Sequence, residues 1–118
     1  MSYLLLVIEG KERRKGRPAE QSRVECDRMT GFAESLKARG VHRASESLKS
    51  LADGVRVQAR GGKRAVLDGP FAEAKEIVGG FFLLDCETRD QALAIAKECP
   101  AAEWASIEVR EVGPCVYE

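Results

Sequence analysis

Asp68-Gly69-Pro70-Phe71-Ala72-Glu73-Ala74-Lys75-Glu76-Ile77-Val78-Gly79-Gly80-Phe81 decides how the chain is divided. It holds turn residues, an aromatic, two glutamates and a lysine between two strand-like apolar runs. A plain connector needs only a few polar residues, so this segment reads as a built feature.

Before it, Val55, Val57 and Ala59 alternate with polar residues, and Ala65 and Leu67 do so beyond Gly61-Gly62. Two alternating runs around a glycine pair predict a hairpin. After it, Gly80 to Cys86 reads as an apolar strand. Thr88 and Gln91 have capping-box spacing, which predicts a helix over Arg89 to Glu98 with Ala92, Leu93 and Ala96 inward. Pro100 stops it. Ala105 to Val112 reads as a last strand, and Gly113 onward as a tail.

Toward the N-terminus, Tyr3 to Ile8 reads as a strand buried on both faces. Gly10 to Pro18 is basic and reads as an exposed, solvated loop. Pro18 suits a first helical turn, so Ala19 to Arg39 is predicted helical, with Val24, Met29, Phe32 and Leu36 on its apolar face. Gly40 stands where a left-handed cap belongs. Val41 to Leu51 reads as an irregular strand.

The order is strand, helix, strand, hairpin, strand, helix, strand. Two split strand-helix-strand halves on one antiparallel sheet predict an α+β, ferredoxin-like domain over residues 1–113, with 114–118 as a tail. Helices cover one face of such a sheet. The uncovered face predicts a homodimer.

Composition narrows the function. The chain has 118 residues, enough for one domain with an adequate core. Its 19 basic and 19 acidic side chains cancel, so no net field favours nucleic acid or an anionic membrane. The longest apolar run, Leu4 to Ile8, is far below the roughly 20 residues of a membrane span. No basic stretch followed by an apolar core opens the chain, so a cytoplasmic location is expected. Cys26, Cys86, Cys99 and Cys115 are scattered, and His42 is the one histidine, so reduced packing thiols and no zinc site are expected. No metal or organic cofactor is called for.

The stretch Asp68-Gly69-Pro70-Phe71-Ala72-Glu73, then Lys75-Glu76 and Gly79-Gly80-Phe81, resembles the signature of the YCII-related, or DGPF-domain, family. Asp85, Asp90-x-Ala92-Leu93, Cys99-Pro100-Ala101-Ala102 and Ile107-Glu108-Val109-Arg110 resemble the family's second half, with Tyr3 to Val7 and Glu46-x-Leu48 fitting more loosely. The resemblance implies a bacterial dimeric α/β barrel with a cleft beside the sheet. Some members are proposed to use a histidine–aspartate pair, and at least one has a dehydrochlorinase-like activity. Here His42 follows the first helix, so that pair does not carry over. Ala74 and Phe82 also stand where the family usually has hydroxyl residues. Genes of this family often neighbour those of alternative sigma factors, which implies a transcription regulator as the other kind of partner.

Asp68 is the candidate catalytic residue. It ends a strand before a sharp turn, and partial burial among Leu67, Phe71 and Phe81 would suit it to acid–base work. It is equally a turn former. Pro70, Phe71, Glu73, Lys75, Gly80, Phe81 and Glu46 are the candidate substrate-binding residues. Glu73, Lys75 and Glu76 read as substrate contacts or a solvated charge cluster; Gly79-Gly80 as close backbone approach to a ligand or a bulge. A glycine pair that opens no helix is not a phosphate loop, which excludes nucleotide binding. His42 reads as a helix-end partner, Tyr3 as strand packing and Trp104 as packing at an edge or dimer seam. The reading is a small-molecule-binding homodimer, any catalysis being of lyase or isomerase type. The alternative is a non-catalytic sensory or protein-interaction module.

Overall fold

The computed structural model describes residues 1–115. The tail expected over 114–118 therefore lies outside the described residues from 116 on. Strands β1 (Ser2–Gly10), β2 (His42–Ser47), β5 (Glu76–Asp85) and β6 (Ser106–Glu111) form one antiparallel sheet in the order β2-β5-β1-β6. Helices α1 (Ala19–Ala38) and α2 (Arg89–Glu98) accompany them. This is the ferredoxin-like α+β fold. Strands β3 (Val55–Arg60) and β4 (Lys63–Asp68) form a separate two-stranded sheet, an insertion into that plan.

Alternation along β1 sets the core. Tyr3, Leu5 and Val7 are buried, and their register partners Leu84, Phe82 and Gly80 are buried beside them. Phe32 and Leu36 of α1, with Ala92, Ile95 and Ala96 of α2, close over that face. Phe32 meets Phe82 edge to face at 5.2 Å between ring centroids, a preferred aromatic geometry. Leu4, Leu6 and Ile8 point the other way and are only half-buried. Within one chain β1 is thus buried on the helix face only, because both helices lie on one side.

Local signals explain the element ends. Gly40 has φ +74°, donating to the Lys37 carbonyl while Val41 donates to that of Leu36, a Schellman cap. Gly61 and Gly62 have φ +58° and +80°, the two-residue turn that matches strand twist. Gln91 donates its backbone N–H to Thr88 Oγ1 at 3.1 Å, and its side-chain oxygen accepts from the Glu87 N–H at 2.8 Å.

Four boundaries or faces differ from expectation. Pro18 precedes α1 in extended backbone rather than occupying its first turn. Val24 is exposed, and Glu25 takes the inward place. Ile95, not Leu93, joins Ala92 as a fully buried residue of α2. Strand β5 starts at Glu76 instead of Gly80, since pairing with β1 continues through an irregularity between Val7 and Ile8. Short 3-10 turns over Leu51–Asp53 and Pro100–Glu103 complete the connections.

The Asp68-Gly69-Pro70-Phe71 stretch closes the base of the hairpin. Gly69 donates to the Gly54 carbonyl at 2.7 Å, and a Cβ on Gly69 would collide with the Leu51 and Gly54 carbonyls. Phe71 is buried, with the Arg56 guanidinium 3.7 Å from its ring centroid. Lys11 Nζ donates to the Phe71 and Ala72 carbonyls at 3.1 and 3.2 Å.

Candidate functional site

A cleft of about 340 Å³ opens between α1 and the sheet. Val7 and Phe82 form its floor, Met29 and Ala33 of α1 one wall, and Trp104 another. Those walls are apolar. Charge enters at one end, where β1 runs into the loop leading to α1.

Glu9 is in phase with Tyr3, Leu5 and Val7, so its carboxylate is carried inward and is only 4% exposed. Arg14 Nε lies 2.7 Å from Glu9 Oε1. The guanidinium N–H groups are aimed elsewhere: Arg14 Nη1 donates to the Leu48 carbonyl at 2.6 Å and Nη2 to that of Gly79 at 3.1 Å. Glu9 Oε1 is therefore charge-paired yet buried without a hydrogen bond. Such an atom has lost its hydration and is held by charge rather than by an aligned hydrogen bond.

The glycine pair makes room for this arrangement. A Cβ on Gly79 would overlap the Glu9 carboxylate and come within 2.9 Å of Arg14 Nη2. One on Gly80 would stand 2.9 Å from the Glu46 carbonyl, where β2 approaches β5. Close approach is to the protein's own groups.

A second ion cluster sits beside the first. Glu25 accepts from Arg13 Nη1 at 2.9 Å, Arg17 Nη1 at 2.8 Å and Gln21 Nε2 at 3.2 Å. The Arg13 hydrogen bonds, aided by those of Gln21 and Arg17, outweigh desolvation and hold its carboxyl down at about 2. Arg13 and Arg28 guanidinium groups lie 5.3 and 5.6 Å from the Trp104 ring centroid, within cation–π range. The basic loop expected to be solvated thus turns Arg13, Arg14 and Arg17 inward, leaving Lys15 exposed. Two buried carboxylates draw them in.

Of the candidate residues, Glu46, Gly80 and Phe81 are among those bordering the cleft, although the register puts Glu46 and Phe81 in phase with Leu6 and so on the opposite sheet face from Phe82. Asp68, Pro70, Phe71, Glu73 and Lys75 do not line the cleft. Asp68 is exposed at the end of β4, not partly buried among Leu67, Phe71 and Phe81. Glu73 pairs with Arg56 at 2.8 Å instead of joining Lys75 in a charge cluster. His42 Nε2 lies 2.7 Å from Ser45 Oγ, outside the cleft lining. Tyr3 packs in the core with its hydroxyl 3.3 Å from Glu111 Oε1. Trp104 walls the cleft.

Glu9, Arg14 and Glu25 are the residues that sequence reasoning missed. A signal for Glu9 exists: it continues the inward phase of β1. Among the described residues, no group of three or more His, Cys, Asp or Glu side chains is placed to hold a metal ion. Cys86 and Cys99 are buried, and burial pushes both thiols up, whereas Cys26 lies on the cleft wall. No helix of the described residues is long and apolar enough to cross a membrane.

Comparison with known proteins agrees with this architecture. Over 51 residues the chain is 47% identical to an uncharacterized protein, R00369, of Rhizobium meliloti strain 1021, a match spanning 42% of this chain and 41% of that one. The structure is similar to that of 5-chloro-2-hydroxyhydroquinone dehydrochlorinase, TftG, from Burkholderia phenoliruptrix AC1100, solved in complex with 2,5-dihydroxybenzoquinone. The TM-score is 0.51 at 16% identity, over 96% of this chain and 94% of that one. That likeness is one of fold. The model of the YCII-related domain matches residues 1–115, and the chain therefore belongs to the YCII-related domain family.

Proposed function

We propose that the chain works as a homodimer that binds a small molecule in the cleft between α1 and the sheet, with Glu9 as acid–base residue of a lyase- or isomerase-type reaction. The buried Glu9 carboxylate, charge-paired with Arg14 but without a hydrogen bond to Oε1 among the described residues, carries this reading. Glu9 is among the residues that line a cleft of suitable size with apolar walls, into which a ligand O–H or acidic C–H could be presented. Arg14 offsets the charge left behind when Glu9 is ionised. Proton removal next to a carbonyl would send the electron pair into that carbonyl. Return of the proton at another carbon gives isomerisation; departure of a neighbouring leaving group gives elimination.

Asp68 is assigned to the hairpin base in this reading, since it stands exposed and outside the cleft. The dehydrochlorinase likeness suggests a hydroxylated ring as the first probe. The experiment is binding of 2,5-dihydroxybenzoquinone and a panel of hydroxylated aromatics to the wild-type chain, Glu9→Gln and Asp68→Asn. Glu9→Gln should lower turnover of any consumed compound by about 100-fold or more. Asp68→Asn should leave binding and turnover unchanged. Loss of activity in Asp68→Asn with Glu9→Gln unaffected would refute the assignment. A compound bound by the wild-type chain but never consumed would make the cleft a sensor's.

A further inference from the structure

We propose that the β3–β4 hairpin is an arm that clasps a second copy of this chain across the open face of its sheet. The proposal rests on the homodimer reading above and adds the element that holds the dimer together.

The hairpin belongs to neither the four-stranded sheet nor the core. Val55, Val57 and Val66 are 59%, 62% and 67% exposed, and the register Val57↔Val66 places all three on one hairpin face. A two-stranded hairpin is marginally stable alone and needs something packed on its apolar face. The arm also protrudes: the radius of gyration is 16.2 Å, against roughly 13 to 14 Å for a compact chain of this length.

The open sheet face is the matching surface. Leu4, Leu6 and Ile8 share it with their register partners Leu83, Phe81 and Val78. It is an apolar stripe on the side away from both helices.

Charge argues for a second copy as occupant. Arg60 and Lys63 flank the arm's tip, and the valine face carries Arg64, opposite Ala59, and Asp68, opposite Val55. None of the three cations forms an ion pair among the described residues. On the open sheet face Glu108 stands opposite Leu6, and Glu76 opposite Gly10, both unpaired there. Arg110, opposite Leu4, Glu46, opposite Phe81, and Asp85, opposite Ser2, also stand on that face, and Arg43 reaches it through Ser2 Oγ at 2.9 Å. The arm carries Arg56, Arg60, Lys63 and Arg64 against Asp68 and is basic, whereas the sheet face carries four acids to two bases. The chain as a whole is neutral, so this asymmetry is self-complementary. Two-fold pairing covers both apolar surfaces of both copies at once. A stable interface needs about 800 Å² from each partner, more than three valines offer, which requires arm and sheet face together.

Sedimentation velocity on the full chain tests this. The wild-type chain should be a dimer, and Val57→Asp with Val66→Asp should weaken it at least 100-fold. Because that variant could unfold the hairpin, Arg60→Glu with Arg64→Glu provides a second test on exposed residues. It should weaken the dimer about 10-fold or more, and adding Glu76→Lys with Glu108→Lys should restore it. A wild-type dimer indifferent to both arm variants would overturn the arm while leaving the dimer intact. A wild-type monomer at 100 micromolar, a concentration well above that of the assay, would overturn both.

Discussion

Glu25 shows how a polar residue comes to occupy a helix's inward face. The helical spacing around it favours Val24, yet Val24 is exposed and Glu25 buried, because Arg13 and Arg17 reach it from the preceding loop. Sequence periodicity carries no information about such long-range partners, so the exchange was not legible. Glu9 is legible in the sequence, being in phase with Tyr3, Leu5 and Val7, whereas its partner Arg14 is not, because the pairing depends on how the loop after β1 folds back. A pH prediction follows from Glu25. Its folded-state carboxyl is held at about 2 against an ordinary 4.5, so it stabilises the fold fully above pH 4.5. That contribution, on the order of 2 kcal/mol, is lost as pH falls through about 2. Glu25→Gln should therefore lower stability at pH 7 and narrow to little difference near pH 2. Urea unfolding of both chains across that range checks it; a constant difference would show that the ion cluster is not the cause.

Elements whose instructions are local were the readable ones. Helix α2 begins and ends where Thr88, Gln91 and Pro100 say, and the hairpin turns at Gly61-Gly62. Strand β5 starts earlier than its local pattern indicates because Glu76-Ile77-Val78 pairs with Gly10, Glu9 and Ile8, a partner ladder that no local pattern reveals. The signature segment is largely a structural clasp, with Gly69 against carbonyls and Phe71 beneath Arg56. Thr88 offers a test of the local instructions. Its hydroxyl accepts from the Gln91 N–H at 3.1 Å at the start of α2. Thr88→Ala should cost about 1 kcal/mol, a fall of roughly 4 to 8 °C in Tm for a domain of this size. Calorimetry checks it, and an unchanged Tm would mean that the cap is replaced by water at no cost.

At the scale of the whole molecule, the sheet's two faces divide the labour. One is sealed by the helices and holds the core and the cleft; the other carries Leu4, Leu6, Ile8, Phe81 and Leu83 at intermediate exposure or above no helix. The ferredoxin-like order predicted this asymmetry, since two crossovers of one hand place both helices on the same side. What the order does not contain is the cleft's occupant or the hairpin's destination, which depend on surfaces assembled from distant segments. Leu6 lies at the centre of the uncovered stripe, on the central strand β1, and faces away from the core. Replacing it with glutamate adds a charge where the dimer reading buries an apolar side chain. Desolvating an unpaired carboxylate there costs several kcal/mol, enough to dissociate a micromolar dimer, whereas the isolated chain leaves the new side chain access to water. Leu6→Glu should thus run as a folded monomer in light scattering, with the far-ultraviolet circular dichroism of the wild-type chain. A variant that remains fully dimeric would place the interface on another surface.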